Sequence, residues 1–192
     1  WSYLGRQVFD NKITSVADNV RNYTISLLHH AVVRDLKNNG TFQKIREKLQ
    51  KEAGNRSVRD NEVVVALIIF LENLMIYSMV KAPVGPDVTL DGIIGSSKGV
   101  STAFTKLWVS RYREAFVLVN QANVGMNARY KTPFIKMELF DDNYNYNFKR
   151  NTGEDPWLGI EGFEAELKKL KNSLVSLLKE LLKSDLTLPL EE

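Results

Sequence analysis

Apolar residues set the first rhythm of the chain. Phe9, Ile13, Val16, Val20, Tyr23 and Leu27 recur at spacings of four and three, the stripe of an amphipathic helix. Asn38-Asn39-Gly40 then supplies a left-handed stop, so a first helix is expected over 8–37. Thr41 is placed to cap a shorter second helix, with Phe42, Ile45 and Leu49 inward, Lys44, Arg46, Lys48 and Lys51 largely outward, and an end at Gly54. Ser57-Val58-Arg59-Asp60 reads as a capping box with Asp in place of Glu, and it opens the most apolar stretch, 63–80. The β-branched residues of 63–69 would suit a strand, but the start signal and the length of the run favour a central helix, apolar nearly all round. Glu72 and Asn73 fall in its middle, where a charge in lipid costs several kcal/mol, so the stretch reads as core rather than membrane span.

Beyond Pro83, Gly85 and Pro86 the composition shifts to β-branched and aromatic residues broken by glycine and asparagine. Strands are expected over 88–94, 104–109, 115–121, 127–130, 134–140 and 144–148, antiparallel because the links are too short for crossover helices. In Asn143-Tyr144-Asn145-Tyr146-Asn147-Phe148 strict alternation puts three aromatics on one face. After Pro156 and Trp157, a last helix is marked by Phe163, Leu167, Leu170, Leu174, Leu177 and Leu181, widened by Leu178 and Leu182. The expected fold is a single α+β domain spanning 1–192: N-terminal helices (1–82), a central antiparallel sheet (87–150) and a long C-terminal amphipathic helix (157–184).

Composition changes this picture little. The 192 residues are 44% hydrophobic and 26% charged, as in an ordinary globular protein. A net charge of +3 is too small an excess to name nucleic acid as a partner. The absence of cysteine removes thiol nucleophiles, disulfides and thiolate metal sites. N-glycosylation patterns at Asn22-Tyr-Thr24, Asn39-Gly-Thr41 and Asn55-Arg-Ser57, with a start at Trp1 rather than Met, lead to the expectation of a secreted glycoprotein.

Gly95-Ser96-Ser97-Lys98-Gly99 matches the pattern around a hydrolase serine, but the two histidines, His29 and His30, lie upstream, and a glycine-rich turn explains it better. Being adjacent, those histidines diverge by about 100° on a helix and cannot share one metal ion; one is expected at the edge of the packed stripe and the other in water. Asp141-Asp142-Asn143-Tyr144-Asn145 begins like a calcium loop but has Tyr146 where glycine belongs and Thr152 where glutamate belongs. Trp108, Arg111, Tyr112 and Arg113 resemble a single-strand nucleic-acid platform, yet strand alternation would divide them between faces. No catalytic residue, metal or cofactor is therefore expected.

What remains is a supply of long apolar helical faces and aromatic strand faces, which suits a non-enzymatic carrier of a lipid or other apolar small molecule. Its cavity would be lined by Phe104, Phe116, Phe134, Met137, Tyr144 and Tyr146. The Gly92 and Gly95 turns, the strand ending at Pro133 and the tyrosine-rich strand 144–148 are similar to the sheet portion of arthropod lipid-binding proteins, the takeout and juvenile-hormone-binding group and mite group 7 allergens. That resemblance covers 88–150 and implies a helix wrapped by a curved sheet around an apolar ligand. The chain departs from it in its three leading helices, its lack of cysteine and its shortage of strands before the last helix. The alternative is an interaction, structural or membrane-active protein that uses its amphipathic helices on a membrane surface or in a homo-oligomer.

Overall fold

In a computed structural model, residues 20–81, 93–95, 105–118, 120–146, 157 and 165–190 are described. The order of elements is α1 (Val20–Asn38), α2 (Thr41–Ala53), α3 (Asp60–Lys81), β1 (Lys106–Trp108), a 3-10 turn (Arg113–Ala115), α4 (Gln121–Val124), α5 (Met126–Lys136), α6 (Ala165–Leu181) and β2 (Thr187–Pro189). Among the described residues the architecture is mostly helical with a small two-stranded sheet, in which β1 and β2 pair antiparallel with Leu107 opposite Leu188.

The helices α2 and α3 lie where the apolar rhythm places them, with their N-terminal caps moved; α1 is described from Val20, and 8–19 of the expected first helix, with Phe9, Ile13 and Val16, fall outside the described residues. Gly40, left-handed at φ 74°, takes the position before α2, and the Thr41 N–H donates to Asn39 Oδ1 at 3.1 Å, so Thr41 stands inside the helix rather than capping it. Gly54 ends α2 at φ 60°, a conformation that favours glycine. In place of the expected capping box at 57–60, α3 has the returning half of one two residues later: the Arg59 N–H donates to Glu62 Oε2 at 3.0 Å, and Arg59 has no side-chain acceptor to complete it. The stretch 63–80 is helical throughout. By length and composition α3 is apolar enough to cross a bilayer, yet it lies at the centre of the fold, packed by α1, α2, α4, α5 and β1.

The expected central sheet is not what forms over the described residues. Of 104–109 only Lys106–Trp108 is strand, and its partner comes from the chain's far end. Of 115–121, Ala115 ends a 3-10 turn, 116–118 and 120 are irregular, Gln121 opens α4 and 119 falls outside the described residues, while 127–130 and most of 134–140 belong to α5 and the turn after it. Met126, Tyr130 and Phe134 are buried at four-residue spacing, the helical period that short aromatic windows conceal. Pro133 lies inside α5, near its end, where few further hydrogen bonds remain to be lost. Tyr144 and Tyr146 are buried and Asn145 exposed, as the alternation requires, but no strand carries them. Asp141 Oδ1 accepts the N–H groups of Asn143 and Asn145, each at 2.9 Å, and Tyr144 is left-handed at φ 57°: an Asx turn, not a ladder. Residues 88–92, 104, 147 and 148 fall outside the described residues.

The last helix, expected over 157–184, is described over Ala165–Leu181; 158–164 fall outside the described residues. It buries Val175, Leu178 and Leu181 and packs chiefly on α1, where Lys171 Nζ meets Asp35 Oδ2 at 2.7 Å. It is not the final element, because the Leu186 N–H turns back to the Leu181 carbonyl at 2.8 Å and β2 follows.

Candidate binding pocket

The polar pair in the middle of α3 organises the site. Glu72 is sealed in the core, where its Oε2 accepts Gln121 Nε2 at 2.9 Å and its Oε1 accepts the Asn127 N–H at 2.8 Å. Burial pushes this carboxyl up to about 7 against the pull of those donors. Gln121 Nε2 also donates to Asn73 Oδ1 at 2.9 Å, and Asn73 Nδ2 donates to the Ala115 carbonyl at 2.7 Å. Gln121 Oε1 in turn accepts the Val117 N–H at 3.0 Å. Gly125 closes over this network: a Cβ there would come within 2.6 Å of both the Gln121 carbonyl and Glu72 Oε2. Ala115 and Gln121 are thereby tied to α3.

Beside this network, α3 and the residues Ser110, Arg111, Phe116 and Ala122 border a cleft of about 190 Å³. Val65, Ala66, Ile69, Phe116 and Ala122 make its apolar walls, and Asn61, Glu62, Ser110 and Arg111 its polar ones. The Arg111 side chain is only 8% exposed, with Nη1 3.8 Å from Glu62 Oε2. Its Nε and Nη1 are buried without a hydrogen-bond acceptor, and Asn61 Oδ1 is buried without a donor. The Glu62 carboxyl is held below its ordinary range, first by the Arg59 N–H and then, against desolvation, by the guanidinium groups of Arg111, Arg56 and Arg59.

Of the aromatic residues expected to line a cavity, only Phe116 is in this cleft. Phe134, Tyr144 and Tyr146 are brought together elsewhere, packed around His30 with ring centroids 5.4, 5.9 and 5.9 Å from its imidazole. Met137 is half-buried at the margin of the core, and Phe104 lies outside the described residues. His30 Nδ1 shares a hydrogen bond of 2.8 Å with the Tyr146 hydroxyl. Both histidines are buried, so neither faces water as the stripe implied, and desolvation lowers each to about 3. Neither ring nitrogen of His29 has a hydrogen-bond partner.

The three glycosylation candidates differ in access. Asn39 and Asn55 are exposed in turns, whereas Asn22 is 2% exposed within α1 and its Oδ1 accepts the Ile94 N–H at 3.4 Å. Sequence reasoning weighed Arg111 as a nucleic-acid contact and missed Asn61, Ser110 and Gln121. Their only signal is that polar residues flank apolar ones, which any surface shows.

The described residues form a mostly helical fold with a two-stranded sheet and a small, mostly apolar cleft beside the central helix. No protein-family model, curated protein or solved structure matches the chain.

Proposed function

We propose that this chain is a non-enzymatic binding protein for a small apolar molecule and that it works outside the cell. The observation that carries the first part is the cleft over α3, where five apolar side chains, Phe116 among them, converge on one space. A closed apolar cavity of about 150 Å³ accommodates benzene, so the 190 Å³ here suits a chain of roughly six to eight carbons. Membrane contact through α6 has less to work with, because Val175, Leu178 and Leu181 are turned into the fold and Leu170 is the one large apolar side chain of α6 that is well exposed, at 40%. The accessible sequons Asn39 and Asn55 support an extracellular site of action.

The test is native mass spectrometry of protein from a eukaryotic secretory host, followed by organic extraction. A released apolar molecule near one per chain is expected, with Ala122→Phe, which fills the cleft, emptying it. Glycans are expected on Asn39 and Asn55 and not on Asn22. An empty chain that also takes up no 1-octanol on titration would sink the carrier, and a chain bearing no glycan would remove the support for secretion.

A further inference from the structure

We infer that the ligand of this cleft is an amphiphile with a single anionic head, of the class of a medium-chain carboxylate, whose head is held by Arg111 and whose tail lies against Phe116 and α3. The inference rests on the apolar-ligand reading above and adds the head group to it.

A guanidinium stays charged at any physiological pH, and removing it from water without acceptors is costly. Arg111 is buried to more than nine-tenths, and its Nε and Nη1 have no acceptor among the described residues. Its carboxylate neighbour Glu62 approaches Nη1 only to 3.8 Å, too far for a hydrogen bond. Glu62 is shared besides: Arg56 Nη2 takes its Oε1 at 2.8 Å, and Arg59 Nε lies 3.8 Å from Oε2. Three guanidinium groups thus face one carboxylate. The next acids do not restore the balance, since Asp60 pairs with Arg46 at 3.4 Å and Glu52 touches Ser110 Oγ at 3.4 Å rather than Arg111. Of the three, Arg56 and Arg59 are largely exposed, and Arg111 alone lines the cleft, at its polar end. Asn61 adds a buried amide atom without a partner at that same end, and rotation of the amide exchanges its acceptor for a donor. An alcohol or ester oxygen offers the guanidinium only an uncharged acceptor, whereas a carboxylate offers it a charged one while its tail covers Val65, Ile69 and Phe116.

Calorimetric titration at pH 7.5 with octanoate, methyl octanoate and 1-octanol tests this. Octanoate is expected to bind one per chain, at least about tenfold more tightly than either neutral probe, as hydrogen bonds to a buried charge imply. Arg111→Gln is expected to bring octanoate down to the affinity of 1-octanol while leaving 1-octanol within about twofold. Glu62→Gln, by removing the competing carboxylate, raises octanoate affinity. Equal binding of octanoate and 1-octanol by the unmodified chain overturns the anionic head and leaves the apolar reading in place. That comparison requires no variant to fold. Failure of all three probes to bind overturns the apolar reading and the head group with it.

Discussion

His29 and Glu72 are both sealed in the core, yet the fold treats them differently. Glu72 receives the Gln121 amide and the Asn127 N–H, and its burial is offset by donors aimed at it. His29 has neither ring nitrogen hydrogen-bonded, so its burial has a desolvation cost with no return. Replacing it by leucine, a side chain of similar volume, removes two unsatisfied polar atoms and breaks no hydrogen bond. His29→Leu is expected to stabilise the fold by about 1–3 kcal/mol, read as a higher urea midpoint at unchanged slope. A lower midpoint would mean that the imidazole has a role its packing does not reveal. Half of this contrast was legible beforehand. A charged residue inside an apolar run announces a buried polar group, but the partners of Glu72 lie 49 and 55 residues away, and nothing local in the sequence points to Gln121 or Asn127. Arg111 is hidden for the same reason: its burial is a property of the cleft, not of its neighbours in the chain.

At the scale of elements, what could be read in advance was what local chemistry decides. The helices α2 and α3, and the described part of α1, follow from period and the Gly40 and Gly54 stops, and the leucine stripe marks α6 over Ala165–Leu181. The region 115–146 was misread because windows of four to seven aromatic or β-branched residues fit a strand or a buried helix equally well. Tertiary packing chose the helix, setting Met126, Tyr130 and Phe134 into the core. The leucine stripe of α6 allows a paired test of which face docks on the body of the fold. Leu178 is fully buried and Leu170 is 40% exposed. Leu178→Ala is expected to cost about 2–5 kcal/mol, and Leu170→Ala to stay within about 0.5 kcal/mol of the unmodified chain. Thermal melts of the two variants check this. Similar losses for both would mean that the exposed side of α6 is covered in solution, by a second copy or another partner.

For the molecule as a whole, the buried titratable groups set opposing pH dependences. His29 and His30 fall from 6.5 to about 3 on folding, so the unfolded chain binds their two protons first, and stability is lost as pH drops below 6.5. Glu72 rises from 4.5 to about 7, so the folded chain holds its proton longer, and stability is lost as pH climbs from 4.5 towards 7. Between 4.5 and 6.5 two protons oppose one. The net slope is then one proton, about 1.4 kcal/mol per pH unit, and the chain is expected to be about 3 kcal/mol less stable at pH 4.5 than at 6.5. Further acidification steepens the loss, because Glu72 no longer compensates and Glu62, whose carboxyl is held low, begins to lose its charge. The groups facing His30 favour its neutral form: Lys131 repels a charge on it, and Tyr146 meets Nδ1 as a neutral hydroxyl, its own ionisation pushed up by burial. Urea unfolding at pH 4.5, 5.5 and 6.5 reads the slope directly. In His29→Leu the slope over this range should vanish, since one histidine then balances one carboxyl. A stability that is flat or rises on acidification of the unmodified chain would mean that at least one histidine reaches a proton without unfolding, and that its part of the core opens on its own.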